Sequence, residues 1–239
     1  MKLSHVISEI FYPSDIKCVV CGEELPYKNR YGICPRCELS YNTKYCLRCG
    51  RAIKNMAEYC DYCMNNSFYF DMARSPLVYH ENVVKMVHKL KYGGAGYLAE
   101  KMAMFMADTF YECQFYADYV TFVPMHPKKQ MKRGYNQAEL IARFVAEKIN
   151  VPLLPTLERI KFTTNLARMT KKERADAIDG AYSFCADKNL IVGKNILLID
   201  DVFTTGATSN QCAMMLKKAK CNKVFVLTFA TSRSKPYLY

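Results

Sequence analysis

An unbroken apolar run, Ile196-Leu197-Leu198-Ile199, stops at two adjacent acids, Asp200 and Asp201. A run of this kind suits a strand buried on both faces, as in a parallel sheet. Small and hydroxyl-bearing residues follow from Thr204 to Ser209, and Gln211 to Lys220 then reads as a helix. The same alternation of strand and helix runs through the preceding chain. Phe68 to Arg74 and Leu77 to Tyr79 read as strand, broken at Ser75-Pro76. Val83, Val84, Val87 and Leu90 recur at three and four, which predicts a helix over Glu81 to Leu90, stopped by Gly93-Gly94. Tyr97 to Met106 continues as a Met-rich helix whose methionines read as core filler. Val120 to Val123 is a second buried-strand candidate, the stretch from Gly134 to Ala138 opens a helix to Ile149, and Lys223 to Ala230 forms a last strand. The pattern predicts an α/β chain with a parallel sheet flanked by helices.

Upstream of Phe68 the pattern changes. Of twelve cysteines, eight form four C-x-x-C pairs: Cys18/Cys21, Cys34/Cys37, Cys46/Cys49 and Cys60/Cys63. Met1 to Asp15 is too polar for an export signal and reads as a short amphipathic helix, with Leu3, Val6, Ile7 and Ile10 on one face and Pro13 at its end. Paired cysteines in that context read as zinc ligands, with a disulfide framework as the alternative. C-x-x-C-G occurs at Cys18 to Gly22 and again at Cys46 to Gly50, so a sequential pairing is expected. Cys18, Cys21, Cys34 and Cys37 would share one ion, and Cys46, Cys49, Cys60 and Cys63 another; an interleaved pairing is the alternative. Four sulfurs per ion leave no open position, which makes these one or two zinc sites structural. The expected division is residues 1–67, a helix and cysteine module resembling a zinc ribbon, and 68–239, the α/β part. No run of about eighteen apolar residues occurs, so no membrane span is expected and a cytoplasmic location follows by default.

The formal net charge is +12, and residues 1–70 carry only nine Lys/Arg against seven Asp/Glu. The excess therefore lies on the α/β part and favours polyanions: nucleic acid or a multiply phosphorylated small molecule. Lys128, Lys129, Lys132 and Arg133 follow Pro124-Met125-His126-Pro127 in what reads as a basic loop, with His126 as a loop residue rather than a general base. Lys91 ends the first helix, and Arg159, Lys161, Arg168, Lys171, Lys172 and Arg174 form a second basic stretch. The turn after Asp201 is an anion site by its chemistry, because free N–H groups and the helix dipole point at its ligand.

Ile196 to Ser209 resembles the loop of type I phosphoribosyltransferases that binds 5-phosphoribosyl 1-pyrophosphate (PRPP): an apolar run, two acids, then T-T-G-x-T. That resemblance implies that Asp200 and Asp201 face the ribose hydroxyls, that Thr204, Thr205, Gly206, Ala207 and Thr208 hold the 5-phosphate, and that Mg²⁺ accompanies PRPP. L-K-Y-G at Leu90 to Gly93, V-P-M-H-P at Val123 to Pro127 and R-G-Y-N-Q-A at Arg133 to Ala138 extend the match. With the cysteine pairs, nearly the whole chain is similar to the ComF family, phosphoribosyltransferase-like proteins associated with natural competence. The resemblance implies a type I phosphoribosyltransferase-like sheet and a pyrophosphate or covering-loop role for Lys91, His126, Lys128, Arg133, Arg168 and Arg174. Single-stranded DNA and proteins of the competence machinery are the implied partners. The chain departs from the family pattern at Asn165, where the family has glutamine, and at Ala177, where it has asparagine. Both lie in the covering loop, so the resemblance supports ligand binding more firmly than turnover.

Overall fold

The computed structural model describes residues 17–27, 29–53, 57–162 and 180–233. The expected helix at Met1 to Asp15 lies outside the described residues, as do Asn165, Arg168, Lys171, Lys172, Arg174 and Ala177.

Five strands form the core: β1 (Met72–Arg74), β2 (Leu77–Val78), β3 (Tyr119–Phe122), β6 (Ile196–Phe203) and β7 (Val224–Thr231). They make a parallel sheet in the order β1-β7-β6-β3, with β2 pairing β7 beyond β1. A hairpin off the sheet, β4 (Leu157–Arg159) with β5 (Tyr182–Phe184), joins antiparallel with Arg159 opposite Tyr182. β6 lies between β3 and β7, in register Ile196 with Tyr119 and with Val224. That central place explains its unbroken apolar run: Ile196 to Ile199 are fully buried, each contributing about 1.5–3 kcal/mol through burial. β6 extends beyond the run, through both acids to Phe203.

The helices are α1 (Asp61–Asn65), α2 (Glu81–Tyr92), α3 (Leu98–Glu112), α4 (Pro127–Arg133), α5 (Gln137–Ile149) and α6 (Ala207–Lys218). α2 buries Val83, Met86, Val87 and Leu90 and stops at Gly93, whose N–H returns to the Lys89 carbonyl. Met102 and Met106 of α3 are fully buried filler. α3 and α5 pack on one another, α5 lies on β6 and β3, and α6 lies on β5, β6 and β7.

Two expectations change. Strand pairing does not begin at Phe68: only Met72–Arg74 is strand, because Phe68 and Phe70 stack on each other and against Phe203. The basic stretch after His126 is a helix, not a loop. His126 Nδ1 accepts from the Lys128 N–H at 3.2 Å, Pro127 supplies a preset first position, and Gly134 at φ +92 ends it.

The cysteine module packs directly on this sheet. The Ala73 N–H donates to the Arg48 carbonyl, the Val78 N–H to that of Ser40, and Asn42 Nδ2 to the Gly50 and Ser75 carbonyls. Apart from Cys21, its paired cysteines belong to the same apolar core as β6 and β7. Among the described residues no helix is long and apolar enough to cross a membrane.

Candidate functional site

β6 carries Asp200 and Asp201 to its carboxyl end, where ligands of open α/β sheets sit. The chain then turns through Thr204 and Thr205, both exposed, into α6. Gly206 makes the turn at φ +78, and a Cβ there would lie 2.5 Å from Phe203 Cζ and 3.1 Å from Phe68 Cε1. The loop backbone thus rests directly on aromatic rings, and no other residue type fits. Thr205 Oγ1 accepts from the Ala207 N–H at 3.4 Å, and the Thr204 carbonyl accepts from Ser232 Oγ at 3.0 Å. Thr208 lies half-buried in the first turn of α6.

The two acids differ. Asp201, buried, forms an ion pair with Lys91 from the last turn of α2. Burial alone would lower the Lys91 pKa; the Asp201 carboxylate outweighs it and the net shift is upward. At Asp200 the balance is reversed. Burial, then repulsion from Asp201, push it well above the usual carboxylate range, although its Oδ1 accepts the Asp201 N–H at 2.9 Å and Lys91 pulls the other way. The buried Cys212 thiol is raised by burial and then by Asp200.

Lys91 also lines a cavity of about 390 Å³ with Tyr92, Gly94, Lys129, Lys132 and Arg133. Four cations meet there, and burial, then Arg133, Arg159 and Lys91, lower the Lys129 pKa. An anion would relieve that crowding. The stretches Leu90 to Gly93 and Arg133 to Ala138, far apart in the chain, build this wall together. The Tyr135 hydroxyl donates to the Leu90 carbonyl, and the Arg133 guanidinium sits 4.9 Å over the Tyr92 ring. Arg133 also donates to Gln137 Oε1 at 2.7 Å, while Asn136 caps α5 and donates to the Val123 carbonyl at 3.1 Å.

Lys128 and His126 do not line this cavity and sit beside Phe162: Lys128 Nζ lies 6.0 Å from the Phe162 ring and the His126 ring 5.1 Å from it. The cavity instead receives Lys129 and Lys132, which share a helix face with Arg133. No apolar stripe marks residues 127–133 as a helix, so the sequence carried no signal that would have brought them together.

The sulfurs fall into the two sequential sets, with Cys18, Cys21, Cys34 and Cys37 in one and Cys46, Cys49, Cys60 and Cys63 in the other, all within 4.8 Å inside each set. The Cys21 and Cys34 sulfurs are 3.7 Å apart, as are those of Cys49 and Cys60. That matches the edge of a tetrahedron with bonds of about 2.3 Å and is far from the roughly 2.0 Å of a disulfide. Burial alone would raise the Cys18 thiol; the N–H groups of Cys34, Cys21 and Val20 outweigh it and bring it to about 6. In the second set the Cys49 and Cys63 thiols, donating to Cys46, hold that sulfur far below the ordinary thiol range. Both sets are four-cysteine zinc-binding sites with no open position, which assigns them to structure.

Residues 7–64 match the model of the double zinc ribbon domain family. Competence protein F of Haemophilus influenzae is 24% identical over 220 residues, covering 89% of this chain and 95% of its own length. Competence protein ComFC of Bacillus subtilis is 25% identical over 195 residues, 78% of each chain. The chain is a homologue of competence proteins F and ComFC. A DNA utilization protein of Salmonella typhimurium is 23% identical to this homologue over 208 residues, 83% of the chain and 89% of its own length. Among solved structures, the glutamine PRPP amidotransferase of B. subtilis gives a TM-score of 0.38 at 21% identity over 54% of this chain, which spans 25% of the amidotransferase. A purine phosphoribosyltransferase of Pyrococcus horikoshii gives a TM-score of 0.36 at 13% identity, over 59% of this chain and 80% of its own.

Proposed function

We propose that this chain binds PRPP with Mg²⁺ at the carboxyl end of β6 and acts, in the cytoplasm, in the uptake and processing of DNA during natural competence. The observation that carries the reading is the Lys91–Asp201 ion pair, which sets the four-cation cavity against the acid pair and its loop. Thr204 to Thr208 hold the 5-phosphate, Asp200 and Asp201 face the ribose hydroxyls, and Lys91, Lys129, Lys132 and Arg133 take the pyrophosphate. His126 caps the helix that carries three of those cations, Lys128 stands beside Phe162, and Arg168 and Arg174 are assigned the covering role. Mg²⁺ would accompany PRPP beside Asp200 and Asp201 rather than in a cage of protein ligands, and would offset the charge of the departing pyrophosphate. The reaction class is displacement of pyrophosphate from C1 of the ribose by a nucleophile, in which positioning and charge stabilisation replace protein nucleophiles. Residues 1–67 serve as the zinc module and 68–239 as the binding domain. The relatives' names, competence protein and DNA utilization protein, support the biological setting.

Calorimetric titration with PRPP and Mg²⁺ tests this. Wild type gives saturable heat, and Asp200→Ala with Asp201→Ala gives none; absence of heat from wild type overturns the reading.

A second reading puts single-stranded DNA on the same face, with or without turnover. It is favoured by two exposed rings, Tyr92 at 68% and Phe162 at 50%, each beside a cation. Bases stack on such rings while cations track the backbone. Binding should weaken steeply with salt as counterions are released, and an affinity independent of salt would overturn it.

A further inference from the structure

The second zinc site lies next to the candidate ligand loop, and a continuous set of contacts joins them. Arg51 donates from Nε to Cys49 Sγ at 3.4 Å and from Nη2 to Cys60 Sγ at 3.8 Å. The same guanidinium lies 5.1 Å over the Tyr62 ring. Tyr62 sits between the ligands Cys60 and Cys63 in α1, and its ring centroid is 5.2 Å from that of Phe68. Phe68 stacks on Phe70 at 4.5 Å and meets Phe203 at 6.4 Å. Gly206 rests on these rings, and beside them the Tyr69 N–H donates to Asn210 Oδ1, in the first turn of α6, at 2.6 Å. The segment leaving the second site therefore supports the loop from beneath and pins its helix from the side. Contacts from the first ribbon go elsewhere: Lys89 of α2 donates to the Val20 carbonyl at 2.8 Å, and Tyr31 stacks on Phe105 of α3 at 3.9 Å.

We propose that Tyr62 and Phe68 are positioning residues through which zinc at the second site holds the 204–208 loop in its ligand-binding shape, while zinc at the first site does not. The proposal rests on reading that loop as the phosphate holder. Its physical basis is the absence of any side chain at Gly206. With nothing between backbone and rings, a displacement of Phe68 moves the loop N–H groups themselves, and an anion cradle tolerates little misplacement. Zinc fixes α1 because Cys60 and Cys63 flank Tyr62, so loss of that ion frees the ring.

The test uses the full chain, with zinc content measured for every variant. Amide hydrogen exchange over 204–210 and titration with PRPP and Mg²⁺ are the two readouts. Tyr62→Ala should keep both zincs, speed exchange over 204–210, and weaken PRPP binding roughly threefold to tenfold, the range one aromatic contact controls. Cys60→Ser, which loses the second zinc, should do at least as much, and Cys21→Ser should leave exchange over 204–210 unchanged. Tyr62→Leu, which keeps bulk but not the ring, serves if the alanine variant does not fold. Wild-type exchange rates over 204–210 in a Tyr62 variant holding both zincs overturn the proposal. So does a Cys21→Ser chain that matches Cys60→Ser. If wild type gives no heat with PRPP, the ligand reading fails, whereas the exchange measurement still decides whether the ring supports the loop.

Discussion

The two zinc knuckles are built on one plan and placed in opposite surroundings. In each, the first cysteine donates its N–H five residues ahead, Cys18 to Glu23 at 2.7 Å and Cys46 to Arg51 at 2.9 Å. In each, the glycine returns its N–H to that cysteine's carbonyl, Gly22 to Cys18 and Gly50 to Cys46, at positive φ. The first knuckle leaves Cys21, Gly22 and Glu23 exposed. The second is wedged against β1, with all four cysteines buried and Arg48 pairing with Ala73. At the position of Glu23 the second knuckle has Arg51, which donates to two of its sulfurs. Burial alone would lower the Arg51 pKa, but the Cys49 sulfur and the neighbouring thiols raise it. A zinc site of four thiolates carries surplus negative charge, so a copy with all four cysteines buried gains from a cation that a copy with one exposed cysteine does without. Identical ligands thus give one local clamp and one anchor for the sheet.

The sharpest way to break this comparison is to remove one zinc at a time. Cys60→Ser should lower the unfolding free energy by more than about 4 kcal/mol, because the ribbon and its seam with β1 go together. Cys21→Ser should lose a zinc yet leave the main denaturant transition near its wild-type midpoint. Equal losses would erase the distinction. Glycine replacement comes next. Gly50→Ala places a Cβ 2.4 Å from the Ala73 carbonyl oxygen at φ +66, which should cost about 3 kcal/mol. Gly22→Ala meets nothing within 4 Å at φ +82 and should cost only about 1 kcal/mol. Arg51→Ala should cost about 2 kcal/mol by removing hydrogen bonds to charged sulfur and should speed zinc loss to a chelator. Glu23→Ala should stay within about 0.5 kcal/mol of wild type.

Much of this contrast was not legible in the sequence, and the reason is distance along the chain. Cysteine spacing and the C-x-x-C-G repeat gave the sequential sets, because two residues between sulfurs is the local geometry of a metal bite. They could not say that Gly50 would lie under Ala73. The buried run of β6 and the small residues after it were equally local, and the sheet and α6 follow from them. Phe68 and Phe70 misled because their apolar character suits a strand, whereas they are buried by Phe203, far along the chain. The helix over Pro127–Arg133 was hidden by its charge: a run with no buried residue has no apolar stripe. The Lys91–Asp201 pair joins two motifs that were each readable, but only the fold brings them into contact.

A modest effect is expected from the same rule, a desolvated acid with or without its cation, at Asp201 and Asp200. Asp201 has Lys91; Asp200 has burial and a neighbouring carboxylate. The folded-state pKa of Asp200 is therefore raised above the unfolded value of about 3.9. Between those two values the folded chain holds a proton that the unfolded chain has lost, so stability falls as pH rises through that window. Asp200→Asn keeps an Oδ1 for the Asp201 N–H and removes the ionisation. It should raise stability at pH ~7 by about 1 kcal/mol, a melting shift of roughly 2–4 °C for a chain of this size. The gain should shrink as pH drops through the folded pKa, since wild-type Asp200 is then protonated as well. Thermal melts of both chains across the window read this as a difference, and because both carry the same cysteines, the pH dependence of zinc binding cancels. A loss of stability at neutral pH in Asp200→Asn would mean that Asp200 is ionised and held by a partner. A gain accompanied by weaker PRPP binding would place Asp200 among residues kept at a stability cost for the ligand they meet.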